Sequence, residues 1–201
     1  MDNTILRIDN RNFIKYKFLN SLFLGTSIGS VFTIYNPLEP SVYSIGGIFL
    51  AIAMILVATQ YSRILNINYF YKISLFVELV ILLVIIAFLI FSFSYQIAFT
   101  VYIGYQLTFI FGSYLVRGET LLLKKEKILT LVDISKQFGY LAGLGTSFLF
   151  YKILEYYFNI NENQNQVFLI HYILLTIELL VIIFLIKSFK NIRKRLILKK
   201  R

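Results

Sequence analysis

No cysteine occurs in the sequence, and histidine occurs once. Disulfides, thiolate metal sites and cysteine nucleophiles are thereby excluded, and a multi-histidine metal site cannot be built. Charge is scarce as well: 15% of the 201 residues are Asp, Glu, Lys or Arg, against about 25% in an ordinary soluble domain. There is no phosphate-cradling glycine loop, no nucleophile elbow and no cluster with metal-ligand spacing. We therefore assign no catalytic, cofactor-binding or metal-binding residue and do not expect an enzyme.

What is present is apolar. Hydrophobic residues make up 58% of the chain, and the mean hydropathy is +0.75. The charges fall in clusters separated by runs too long and too apolar for the core of so small a soluble domain. A helix needs about 20 apolar residues to cross about 30 Å of hydrocarbon. Six such spans with short loops use nearly the whole chain, so we expect an all-α, polytopic membrane protein with six transmembrane helices.

The first span covers residues 18–35, followed by a turn at Pro37 and Pro40, and the second lies within 40–62. The third and fourth share the uncharged run 79–116, which must turn, with the turn expected around 92–96. The fifth runs over 130–151 and the sixth over 167–186, separated by the polar segment 159–166. Three regions result: an N-terminal segment 1–17, a six-helix domain 18–186 and a basic tail 187–201. The basic N-terminal segment and first apolar run resemble a signal peptide. That run is longer than a cleavable apolar core and no cleavage site follows it, so the first helix is expected to be retained.

Eighteen of the 20 Lys and Arg residues fall in the N-terminal segment, the two even-to-odd loops and the tail. The three loops on the other side hold none, and Lys136 and Lys152 sit within the fifth span. Basic residues mark the cytoplasmic side, so both termini are expected in the cytoplasm. The abundance of Ile, Asn, Lys, Phe and Tyr suggests an AT-rich bacterial genome, hence the inner (cytoplasmic) membrane. The net charge of +10 then reads as a topology signal contacting lipid headgroups, without nucleic-acid binding.

Small residues reveal where spans approach each other, because lipid provides no hydrophobic drive for helix association. The first span carries Gly25 and Gly29, the fourth Gly104 and Gly112, and the fifth a literal G-x-x-x-G at Gly139 and Gly143. The fourth also carries Gln96, Thr100, Gln106 and Thr108, and is expected to line a substrate path. The third and sixth spans, rich in Ile, Leu, Val and Phe, are expected at the periphery, facing lipid. Glu78 lies near enough to the interface to snorkel. Glu178 lies about 13 Å deep, nine residues before Lys187. A charge at that depth costs about 2.5–3.5 kcal/mol or more, which makes Glu178 the candidate for proton or cation coupling. Asp133, Lys136 and Gln137, at the cytoplasmic end of the fifth span, form a candidate gate or a local ion pair. Lys152 and Glu155 are expected to snorkel outward together, and His171 to be a simple hydrogen-bonding residue.

The segment Gly112-Ser113-Tyr114-Leu115-Val116-Arg117, followed by Gln137-Phe138-Gly139-Tyr140-Leu141-Ala142-Gly143, resembles the helix 4 to helix 5 region of a major facilitator superfamily transporter. The whole chain resembles one six-helix half of that family. The resemblance implies a 3+3 inverted repeat, lining roles for the first and fourth helices and a homodimer. It makes a small-molecule transporter the expected function. The alternative is a non-catalytic membrane subunit, either a substrate-capture component for an ATP-driven importer or a scaffold, with another membrane subunit as partner.

Overall fold

The computed structural model describes residues 4–193. Of the basic tail, residues 194–201 lie outside the described residues. The described residues begin with strand β1 (Thr4–Ile8) and end with β2 (Phe189–Arg193), and between them lie α1 (Asn10–Tyr35), α2 (Pro40–Thr59), the single turn α3 (Tyr61–Ile64) and α4 (Ile67–Phe91). Next come α5 (Tyr95–Ile110), α6 (Gly112–Leu123), α7 (Glu126–Phe158) and α8 (Asn163–Ser188). The start of each helix has a local cause. Asp9 accepts from the backbone N–H groups of Arg11 and Asn12 to cap α1, and Pro40 opens α2 where its missing N–H costs nothing. Asn66 caps α4, and Ser94 caps α5 through Ile97. The turn expected around 92–96 is a tight one: Ser92 takes a positive φ of 53° and its N–H closes on Phe88.

Among the described residues, five helices are long and apolar enough to cross a membrane: α1, α2, α4, α8 and the run Tyr95–Leu123 that joins α5 to α6. The fifth expected span falls on α7. It is the longest helix at 33 residues, but Lys127, Asp133, Lys136, Lys152 and Glu155 interrupt its apolar surface.

The helices form a folded row. α1 packs between α7 and α8, α8 continues to α4, α4 to α5, and α5 to α2, while α6 returns to touch α4 and α7. The α1–α7 crossing is backbone on backbone. A side chain at Gly143 would run into Leu22 O and the Cα of Gly25, and one at Gly139 into Phe18 O. Thr26 donates 3.4 Å across the crossing to Gly143 O, and Ser135 donates 3.2 Å to Ile14 O. Gly104 abuts Val84 of α4, and Gly29 is in ordinary contact with Tyr151. Gly112, expected to pack a neighbour, has open space around it. It begins α6 just after Phe111, where α5 ends.

The expectation of peripheral third and sixth spans is overturned. On α4, Phe70, Ser74, Glu78, Ile81, Ile85 and Phe88 are buried. On α8, Ile170, Leu174, Glu178, Val181, Leu185 and Ser188 are buried. Apolar side chains suit lipid and protein equally, so composition could not reveal that one face of each helix is core. The exposed helix is α2, which buries no residue. Between α2 and α5 runs a groove of 640 Å³, mostly apolar, with Tyr102, Gln106 and Phe49 in its walls.

β1 and β2 pair antiparallel, Leu6 opposite Asn191 and Ile8 opposite Phe189, so the first and last described elements lie together at one end of the bundle. Lys190 bonds to Asp9, and that hydrogen bond holds the Asp9 carboxyl below its ordinary value. The N-terminal segment is thus structured earlier than the expected boundary at residue 17.

Opposed strand residues have Cα atoms about 4.5–5.5 Å apart, within disulfide reach. In this cysteine-free background, Leu6→Cys with Asn191→Cys should cross-link on mild oxidation, and Leu6→Cys with Asn159→Cys should not. Gly143→Ala should lower the unfolding free energy in detergent by about 1–3 kcal/mol through overpacking. Gly112→Ala, with room for its methyl, should stay within about 0.5 kcal/mol of wild type.

Candidate functional site

Polar groups removed from water need partners, and the interior near the paired termini contains a concentration of them. α1 supplies Tyr16, Lys17 and Asn20, spaced to share one face, with Tyr16 and Lys17 buried. Glu78 of α4 is 2% exposed. Its Oε1 accepts from the Tyr16 hydroxyl at 2.7 Å and from Asn20 Nδ2 at 3.1 Å. It points inward to α1, so the expected snorkelling toward the interface does not occur.

One helical layer away, Glu119 of α6 is 5% exposed. Lys17 Nζ lies 2.7 Å from its Oε2, and Lys136 of α7 bonds to its Oε1. Lys136 also reaches Asp133 at 3.3 Å, which is the local pair expected from their spacing. Glu119 converts that pair into a network joining α1, α6 and α7. Glu119 falls between the expected fourth and fifth spans, 79–116 and 130–151. Instead α6 continues as helix to Leu123, and the turn shrinks to Lys124 and Lys125. Lys17, counted among loop charges, is inside the protein.

Glu178 of α8 is fully buried, and neither carboxyl oxygen has a hydrogen-bond partner among the described residues. Glu78 lies within its electrostatic reach, and so do the hydroxyls of Tyr16 and Tyr105. Ser74 Oγ, one turn before Glu78, is also buried without a partner among the described residues.

The other expected residues separate into different places. Gln96 and Thr100 are exposed, and the Thr100 hydroxyl bonds back to Gln96 O at 2.8 Å. Thr108 is buried but also serves its own helix, donating to Tyr105 O at 2.8 Å. Gln106 lines the α2–α5 groove. The polar stripe of the fourth span thus winds around the helix and does not converge on Glu178. Gln137 is exposed beside Asp133 at the surface. Lys152 and Glu155 pair at 2.6 Å on the exposed side of α7. His171 packs 4.0 Å from the Phe88 ring, its Nδ1 2.6 Å from Val167 O.

Tyr16, Lys17, Asn20 and Glu119 escaped the sequence reading, because each sits where a helix end would ordinarily turn a polar side chain to water. A signal for the glutamate pair does exist. Val77-Glu78-Leu79-Val80-Ile81 and Ile177-Glu178-Leu179-Leu180-Val181 are alike and lie 100 positions apart. Comparison with known proteins finds no matching family model, no matching curated protein and no matching solved structure.

Removing one partner of a buried ion pair leaves an uncompensated charge. Glu119→Ala should therefore lower stability by about 3–5 kcal/mol, and Glu155→Ala, on the exposed pair, by about 1 kcal/mol at most. Thermal or denaturant unfolding in one detergent would compare the two.

Proposed function

We propose that the chain is a six-helix unit of a secondary transporter for a small molecule, acting as a homodimer in the inner (cytoplasmic) membrane with both termini in the cytoplasm. α7 serves as the sixth span: it lies along α1 with backbone in contact, and 33 residues extend about 50 Å. Paired end strands agree with an even number of crossings, and the distribution of Lys and Arg puts those ends in the cytoplasm.

The observation that carries this reading is the pairing of helices. Number the spans from one to six as α1, α2, α4, α5–α6, α7 and α8. The main pairings are then one with five, one with six, three with six, three with four, and two with four. Exchanging the first three spans for the last three turns every one of these pairings into another member of the set. A 3+3 inverted repeat has that property. Six of the seven buried positions of α4, all but Val84, fall on buried positions of α8 at an offset of 100 residues, and α8 buries four more. Buried ionisable groups on spans three and six favour coupling to a proton or cation.

A second reading is a non-catalytic subunit of a larger membrane assembly, favoured by α2, which buries no residue and offers Ile45, Ile48, Phe49, Ile52 and Leu56 outward.

The mass and composition of the particle extracted from its native membrane in mild detergent distinguishes the two. A homodimer is expected. Stoichiometric co-purification of an ATPase or a different membrane protein would overturn the transporter reading in favour of the subunit.

A further inference from the structure

We propose that Glu78 and Glu178, both buried on the packed helices α4 and α8, form a binding site for one exchangeable proton, with Glu178 the carboxyl that takes it. The proposal deepens the coupled-transporter reading and rests on it for its role, though its geometry is independent of that role.

Three carboxyl groups and one ammonium group are buried in this part of the protein, Glu78, Glu119 and Glu178 with Lys17, and the half-buried Lys136 bonds to Glu119 from its edge. Asp133 is exposed and its charge is solvated. With both lysines counted, these charges balance when one of the three carboxyls holds a proton.

Contacts decide which one. Glu119 is bound by both lysines and stays ionised, because two ammonium groups favour its charged form. Glu78 accepts two hydrogen bonds on one oxygen, from Tyr16 and Asn20, and these also favour a carboxylate. Glu178 accepts none and has no cation in contact among the described residues. An isolated carboxylate in such surroundings neutralises in preference to staying charged, and two like charges within reach oppose joint ionisation.

The ionisable groups within electrostatic reach of Glu178 are Tyr16 from α1, Glu78 from α4 and Tyr105 from α5, while Lys17 of α1 and Lys136 of α7 are bound to Glu119 of α6. Both lysines are engaged by Glu119, and the tyrosines are neutral donors. Glu78 is therefore the group whose charge sets the proton affinity of Glu178. Binding is the simple addition of H⁺ to a Glu178 carboxylate oxygen, and release returns it.

The test is infrared difference spectroscopy of the full chain in lipid nanodiscs across a pH titration, following the C=O stretch of protonated carboxylic acid and its deuterium shift. Wild type should show one such titrating buried band, and Glu178→Gln, isosteric with the protonated acid, should remove it. Glu78→Gln should keep the band and displace its midpoint by about one pH unit or more, because the neighbour's charge is gone. Persistence of the band in Glu178→Gln would overturn the proposal, and so would an unmoved midpoint in Glu78→Gln. Loss of the band on adding sodium at constant pH would also overturn it, in favour of a metal-cation site. If Glu178→Gln does not fold, the Glu78→Gln midpoint still decides. A hetero-complex with the expected band would sink the transporter reading and leave the proton site standing. A homodimer without the band would do the reverse.

Discussion

A carboxyl group taken out of water must be given cations, hydrogen-bond donors or a proton, and much of this fold is arranged around meeting that demand three times. Glu119 receives two lysines, Glu78 a tyrosine and an asparagine, and Glu178 no partner among the described residues. Supplying the first two takes side chains from α1, α4, α6 and α7, elements distant in sequence. The arrangement therefore fixes the mutual positions of four helices in a way that apolar packing alone would not. Removing one partner exposes a buried charge, whereas a misfitted leucine is only a local defect.

The glycine crossing makes that arrangement reachable. Lys17 and Lys136 can meet on one glutamate because α1 and α7 approach without side chains between them, at Gly25, Gly139 and Gly143. The corresponding contact of α2 with α5 is built differently. There Gly46 faces the Tyr102 ring, and beside it the groove is left open. Two helix pairs that occupy equivalent places in the row thus differ in tightness, one sealed by backbone contact and one held apart by an aromatic ring.

Hydropathy made the helical segments and the turn before Ser94 readable, since long apolar runs and turn residues are local signals. The G-x-x-x-G of α7 was readable for the same reason. Sidedness was not. On α4, Ile81 faces the core and Leu83 faces outward, yet lipid and protein interior accept both. Glu119 was unreadable for a different reason. Its partners, Lys17 and Lys136, come from two other helices, and only their assembly makes an inward-pointing glutamate cheaper than an outward one. Glu78 and Glu178 stood in matching local sequence, but among so many Ile, Leu and Val residues the match becomes informative only when both faces prove buried.

The first helix completes its contacts with helices made much later. Chains emerge at about 5–20 residues per second, so Tyr16 and Asn20 wait for Glu78, and Lys17 waits on the order of ten seconds for Glu119 and Lys136. During that interval α1 is a membrane helix with an unmatched ammonium group and a bare glycine face, held by nothing downstream. Assembly of this protein is therefore a problem of custody: α1 has to be kept from wrong partners and from leaving the bilayer until the second half of the chain arrives. A lysine near its N-terminal end can meanwhile reach headgroup water, and its partner in the finished fold, Glu119, comes only with α6.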